Sequence, residues 1–161
     1  MAATTWKPSQ YHSLTPYLTL RSAAKAVDFY KKAFGAEELY RIEGPGGTVM
    51  HAELRIGDSV MMLGEETPEM GSTSPQTLGG STAGLLIYVP DCDRAFARAI
   101  EAGATELQKP QEMFWGDRSG QLKDPFGHRW SIATHTRDVS PEEMKRAQDA
   151  WLKENSGPKA S

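Results

Sequence analysis

The chain has 161 residues, 39% of them hydrophobic and 24% charged, with a formal net charge of −3. That length suits one compact domain or two small modules, and its scattered cations exclude the basic footprint of a nucleic-acid binder. A single cysteine, Cys92, excludes an internal disulfide and a multi-cysteine zinc cage and fits a reducing cytoplasm.

Residues 1–13 lack a basic start followed by an apolar stretch, so no signal peptide is expected and they read as a flexible polar arm. Over 16–21, Leu18 and Leu20 alternate with Tyr17 and Thr19, the period of a half-buried strand. Ser22 is placed as a helix N-cap. Ala23, Ala26, Val27, Tyr30 and Phe34 then recur at helical spacing, and Gly35 ends the helix. Three strands follow, over 36–43, 49–56 and 59–63, separated by turns at Gly44-Pro45-Gly46-Gly47 and Gly57-Asp58. In the second of them Met50, Ala52, Leu54 and Ile56 share one face, and Val49, His51, Glu53 and Arg55 the other.

The stretch 65–82 is rich in Gly, Pro, Ser and Thr and reads as a linker. After it the pattern restarts. A strand over 84–89 leads to a helix capped by Asp91, with Ala95, Phe96, Ala99 and Ile100 on its apolar side, ending at Gly103. Strands follow over 104–109, within 113–123, and over 129–134, the last two joined by the turn Asp124-Pro125-Phe126-Gly127. Gly35 and Gly103 lie 68 residues apart, and Gly57 and Gly127 lie 70 apart, so the halves read as a degenerate repeat. The expected layout is an arm at 1–13, a module at 14–66, a linker at 67–82, a second module at 83–135, and a C-terminal helix with its tail at 136–161. Ser140 and Glu143 form a capping box with Pro141 at the first helical position. Met144, Ala147, Ala150 and Trp151 give that helix an apolar stripe, predicted to dock on the outside of the sheet. No apolar run approaches the roughly 20 residues of a membrane span.

Ala26-Val27-Asp28-Phe29-Tyr30, followed by Ala33-Phe34-Gly35-Ala36, resembles the first helix of glyoxalase/bleomycin-resistance proteins of the vicinal-oxygen-chelate class. Asp124-Pro125-Phe126-Gly127-His128 resembles the turn before their final strand. His51-Ala52-Glu53-Leu54, Gly57-Asp58-Ser59 and Phe114-Trp115-Gly116-Asp117-Arg118 are similar to the PhnB-like branch. The likeness covers about residues 14–135. It implies an α+β fold of two βαβββ modules, forming a curled mixed sheet around a small-molecule cavity, plus the C-terminal helix. It also implies a divalent ion held from the first and last strands of each module. The matching positions here are Thr15, Met62, Gly84 and Ser131, a poor ligand set for a hard cation. A metal-free cavity is therefore expected. The alternative is a metal-dependent lyase, isomerase or dioxygenase using His51 and Glu53, with His135 as a third group.

Strand parity puts Leu18, Leu20, Met50, Leu54, Ile56, Met61, Leu63, Leu85, Ile87, Trp130 and Ile132 toward the helices. The opposite face carries Tyr17, Thr19, His51, Glu53, Arg55, Met62, Leu86, Tyr88 and Ser131, aromatic walls with few polar groups. His51 is the candidate acid/base, because histidine titrates near neutrality, with Glu53 as its orienting group or a base. Tyr17, Thr19, Met62, Tyr88 and Ser131 are candidate ligand contacts. Trp115 is read as a plate closing over the ligand and Arg118 as a bidentate grip on a carboxylate or phosphate. His12, His128 and Cys92 receive no role. The expected partners are a small molecule and a second copy of the chain, since the resemblance allows modules to pair within or between chains.

Overall fold

The computed structural model describes residues 6–155; residues 1–5 of the predicted arm and 156–161 of the predicted tail lie outside the described residues. In chain order the elements are β1 (Tyr17–Leu20), α1 (Ala23–Phe34), β2 (Glu37–Glu43), β3 (Val49–Ile56), β4 (Ser59–Glu65) and a one-turn helix, α2 (Pro75–Leu78). There follow β5 (Gly84–Tyr88), α3 (Cys92–Glu101), β6 (Thr105–Glu112), β7 (Asp117–Lys123), β8 (Arg129–His135) and α4 (Pro141–Asn155). They build two four-stranded sheets of identical topology, β1-β4-β3-β2 and β5-β8-β7-β6. In each, the first strand runs parallel to the last and the other pairs are antiparallel. The predicted βαβββ repeat is therefore present as two separate sheets.

Helix α1 forms because its apolar residues return every third or fourth position. Ala23, Ala26, Val27, Phe29, Tyr30, Ala33 and Phe34 are all buried. Each large side chain of that stripe stabilises the fold by about 1.5–3 kcal/mol. Gly35 closes the helix in the left-handed region at φ 67°, which only glycine enters without steric cost. The start departs from expectation. Ser22 sits at φ 67° and its side chain makes no cap. The Glu65 carboxylate, at the end of β4, accepts from the amides of Ser22 (2.7 Å) and Ala23 (2.8 Å) instead. A distant anion thus satisfies the amides at the helix N-terminus and complements its dipole. In α3 the local cap holds as predicted, with the Asp91 side chain accepting from the Arg94 amide at 3.0 Å.

The helix-facing sides of both sheets feed one core. Leu18, Leu20, Leu54, Met61, Leu63, Trp130 and Ile132 are buried as their parity requires, and Ile56, Leu85 and Ile87 pack partly against them. Met50, at 59% exposure, and Val49, buried in the core instead of on the opposite face, are exceptions, because the β2–β3 register shifts between Ile42 and Glu43. Met50 is the second residue of β3, beside the hairpin turn, where its Cγ lies 2.8 Å from the position a Cβ on Gly44 would take. Helices α1 and α3 pack on each other. Gly120 allows Phe96 of α3 to approach β7, since a Cβ there would lie 2.9 Å from the ring.

A buried polar node ties the modules together. The Asp124 carboxylate, 2% exposed, accepts from the Tyr30 hydroxyl of α1. It also accepts from the Trp130 indole and from the amides of Phe126 and His128. Burial and the neighbouring Asp124 push the Tyr30 phenol well above its ordinary value, so it stays a donor. Burial pushes the His128 imidazole down and favours its neutral form.

Two expectations for the connecting segments need correction. The 65–82 stretch is not featureless. Its first residue completes β4, Thr67 bridges to Ser72, and Ser74 caps α2. Pro75 is buried against Gly127. Polar turn residues read as loop, yet their side chains find partners here: the Glu66 carboxylate accepts from the Ser74 amide and the Thr77 hydroxyl, both at 2.9 Å. At the C-terminus, Ser140 caps α4 as predicted, but the helix does not dock broadly on a sheet. Met144 and Ala147 are half-buried, whereas Ala150, Trp151 and Leu152 stay exposed. Its apolar stripe is narrow and interrupted by charge, so a wide contact would bury polar groups as well.

Candidate functional site

The helix-free face of the first sheet gathers most of the expected residues. Tyr17 on β1 stands across from Met62 on β4, and Met62 across from Glu53 on β3. The Tyr17 hydroxyl lies 3.1 Å from His51 Nδ1. The other ring nitrogen, Nε2, lies 3.4 Å from Glu53 Oε1. Tyr40 on β2 adds a ring at 6.4 Å from the imidazole. Gly64 permits this assembly, because a Cβ there would lie 2.5 Å from the Met50 carbonyl and 3.2 Å from the Tyr17 hydroxyl. Thr19 is turned to the crossover segment, its hydroxyl 2.9 Å from that of Ser72. Tyr11, inside the predicted arm, hydrogen-bonds Glu53, which raises its phenol. Tyr11 therefore ties this part of the predicted arm to the first sheet.

The second sheet holds a group that the sequence reading did not assemble. Asp117 opens β7 and is 4% exposed. Its carboxylate accepts from the Tyr88 hydroxyl at 2.9 Å and the Trp115 indole at 3.1 Å. His135 Nδ1 lies 2.8 Å from its other oxygen, and His135 Nε2 lies 3.0 Å from exposed Asp138. Partial burial pushes the Asp117 carboxyl up, but the bonds from His135, Tyr88 and Trp115 outweigh it and hold the group below the usual carboxylate value. The bonds to Asp117 and Asp138 raise the His135 imidazole, favouring its charged form. A histidine held by a buried carboxylate is the arrangement that fixes an imidazole for proton transfer. The signal for it was available: stepping by twos from Ser131 along β8 reaches His135, which pairs with Asp117.

Arg118 does not join this group. It is on the helix side, where it binds Asp93 of α3 at 2.5 and 2.7 Å and reaches Glu112 at 3.5 Å. Stepping back from buried Leu122 gives that side directly, so the expected grip on a ligand is replaced by an ion pair within the second module. Trp115 is 41% exposed and bonded to Asp117, packed edge-on against Phe114. Ser131 lines a small cavity of about 160 Å³ with Ser81 and Gly84. Hydrogen bonds and ring contacts among the described residues join each group within its own sheet and do not link Tyr17–His51–Glu53 to Asp117–His135. Cys92 is buried with its thiol donating to the Ile132 carbonyl, and burial pushes it up, away from the reactive thiolate.

The metal positions implied by the resemblance do not fit an ion. The Thr15 hydroxyl donates to the His12 carbonyl. Met62 offers a thioether, Gly84 no side chain and Ser131 a lone hydroxyl. The alternative trio does not converge either, since His51 and Glu53 lie on the first sheet and His135 on the second. Among the described residues no group of three or more His, Cys, Asp or Glu side chains is placed to hold an ion.

Comparison with known proteins gives a consistent picture. The family model for the Glyoxalase/Bleomycin resistance protein/Dioxygenase superfamily matches residues 12–132. An uncharacterised protein of Mycobacterium tuberculosis, Rv0887c, is 42% identical over 141 residues, covering 86% of this chain and 83% of its own length. Among solved structures, TioX from Micromonospora is 30% identical, with a TM-score of 0.62 over 77% of this chain and 98% of its own. An Arabidopsis thaliana gene product is 28% identical, with a TM-score of 0.62 over 76% of this chain and 98% of its own.

Proposed function

Because the chain belongs to the Glyoxalase/Bleomycin resistance protein/Dioxygenase superfamily, we propose that it is a PhnB-like member that binds a small organic molecule on its helix-free sheet faces without the usual divalent metal. The observation that carries this is the Tyr17–His51–Glu53 network. It sets a hydroxyl, an imidazole and a carboxylate beside the rings of Tyr17 and Tyr40. Both imidazole nitrogens already have protein partners. The network can therefore pass a proton toward a ligand carbonyl or hydroxyl while Glu53 fixes the ring. The PhnB-like placement rests on the motifs around His51, Gly57 and Trp115.

A homodimer belongs to the same proposal. Tyr17, Tyr40, Leu86 and Tyr88 are each more than half exposed on the helix-free faces, an apolar surface of the kind that marks an interface. A second copy would enclose the two groups described above. A cytoplasmic location is also proposed, from the lone thiol; among the described residues no helix is long and apolar enough to cross a membrane.

The test is a metal and ligand census of the native protein by mass spectrometry, followed by thermal-shift screening of small organic carbonyl and aromatic compounds. A ligand at about 100 times its Kd adds about 2.7 kcal/mol, or roughly 5–10 °C at this size. His51→Ala should abolish that shift. A stoichiometric metal ion lost in His51→Ala would replace this reading with the metal-dependent lyase, isomerase or dioxygenase. Light scattering that gives a monomer would remove the dimer.

A further inference from the structure

A second cavity lies between the modules, apart from the Tyr17–His51–Glu53 group and bordered by Tyr88 of the Asp117 group. Its volume is about 790 Å³, within the range that holds a drug-sized ligand. One wall is the β3–β4 turn and the start of β4. The other is β5 with the first turns of α3. The apolar lining includes Phe34, Val60, Ile87 and Trp130. Phe34 and Trp130 come from different modules, and their rings lie 4.6 Å apart.

The charges of the lining are uneven in their engagement. Asp91 is occupied as the cap of α3, and Asp58 accepts from the Ser59 hydroxyl. Arg94 and Arg98 stand one helical turn apart on α3, and so on one face. Arg98 donates through Nε to the Ala33 carbonyl at 2.8 Å, which leaves its terminal nitrogens for another acceptor. The Arg94 guanidinium has no hydrogen bond or ion pair among the described residues. An apolar chamber with two partly unused guanidiniums on one wall is complementary to a molecule with an apolar body and one anionic end.

We propose that this intermodule cavity is a binding site for an amphipathic organic carboxylate. Its aromatic or branched aliphatic body packs between Phe34, Val60, Ile87 and Trp130, and its carboxylate pairs with Arg94, assisted by Arg98. The site borders Leu86 and Tyr88 but does not include His51, and it does not rest on the proposed function above.

Isothermal titration with 2-naphthoate and its uncharged isostere 2-naphthamide tests the proposal. The carboxylate should bind at least tenfold more tightly than the amide. Arg94→Gln, a change at an exposed position of α3, should cut that preference severalfold, leaving what Arg98 supplies. Val60→Trp should fill the chamber and abolish both, while His51→Ala should alter neither. Should Val60→Trp fail to fold, the Arg94→Gln comparison still decides. No binding of either compound, equal binding to the unmodified protein, or a preference undiminished in Arg94→Gln would each overturn the proposal.

Discussion

Removing the Asp124 carboxylate should be among the most damaging single changes to this fold. The group is 2% exposed and accepts four bonds: from Tyr30 Oη at 2.7 Å, Trp130 Nε1 at 2.9 Å, and the amides of Phe126 and His128 at 2.9 Å each. In Asp124→Ala all four donors lose their acceptor. Each buried donor left unsatisfied costs about 1–3 kcal/mol. Entering water recovers part of that, and single substitutions rarely exceed about 4–5 kcal/mol. The expected loss is about 4 kcal/mol, or roughly 8–16 °C in Tm for a chain of this size. Tyr30→Phe removes one donor and should cost only about 1–1.5 kcal/mol. In a double-mutant cycle, Tyr30→Phe should cost almost nothing once Asp124 is gone. Urea denaturation of the four proteins measures each term. An Asp124→Ala variant within about 1 kcal/mol of the parent, or additive single changes, would refute the claim that this node holds α1 to the second module.

Other outcomes follow from positions outside the core node. Ser22 is the one non-glycine residue described at positive φ, so Ser22→Gly should raise stability by about 1 kcal/mol, seen as a small increase in the urea midpoint. Gly116→Ala should be strongly destabilising, by about 2–4 kcal/mol, because its Cβ would lie 2.1 Å from the Arg137 carbonyl at φ 95°; a thermal melt checks it. The Ser74 amide, with Thr77 and Arg21, lowers the Glu66 carboxyl from 4.5 to about 2. A depressed folded value means its contribution is complete above pH 4.5 and disappears as pH falls toward 2. Glu66→Gln should remove that part of the acid dependence in denaturation midpoints measured across the window. His135 behaves oppositely. Asp117 and Asp138 raise it above 6.5, so its contribution is complete below pH 6.5 and is lost as pH rises through the raised value. Imidazole proton shifts followed by NMR should titrate lower in Asp138→Asn.

The sequence by itself determined the eight strands, the three longer helices and their repetition. Alternation at Leu18 and Leu20, the helical stripe from Ala23 to Phe34, and the turn glycines are local signals, each set by the geometry of a few neighbouring residues. The same parity placed Tyr17, His51, Glu53 and Met62 on one face, and carried the information for Asp117 and His135 once β7 and β8 are taken to their full lengths. What only the tertiary structure decided are contacts between residues distant in the chain. Tyr30 meets Asp124 across 94 positions. The Glu65 carboxylate replaces the Ser22 side chain as the group that caps α1, from 43 positions away. Arg118 finds Asp93 on α3, 25 positions back. Local pattern says which face a side chain takes, because that depends on backbone period. The group it meets there depends on how helices and sheets pack, which distant residues settle together through burial and charge pairing.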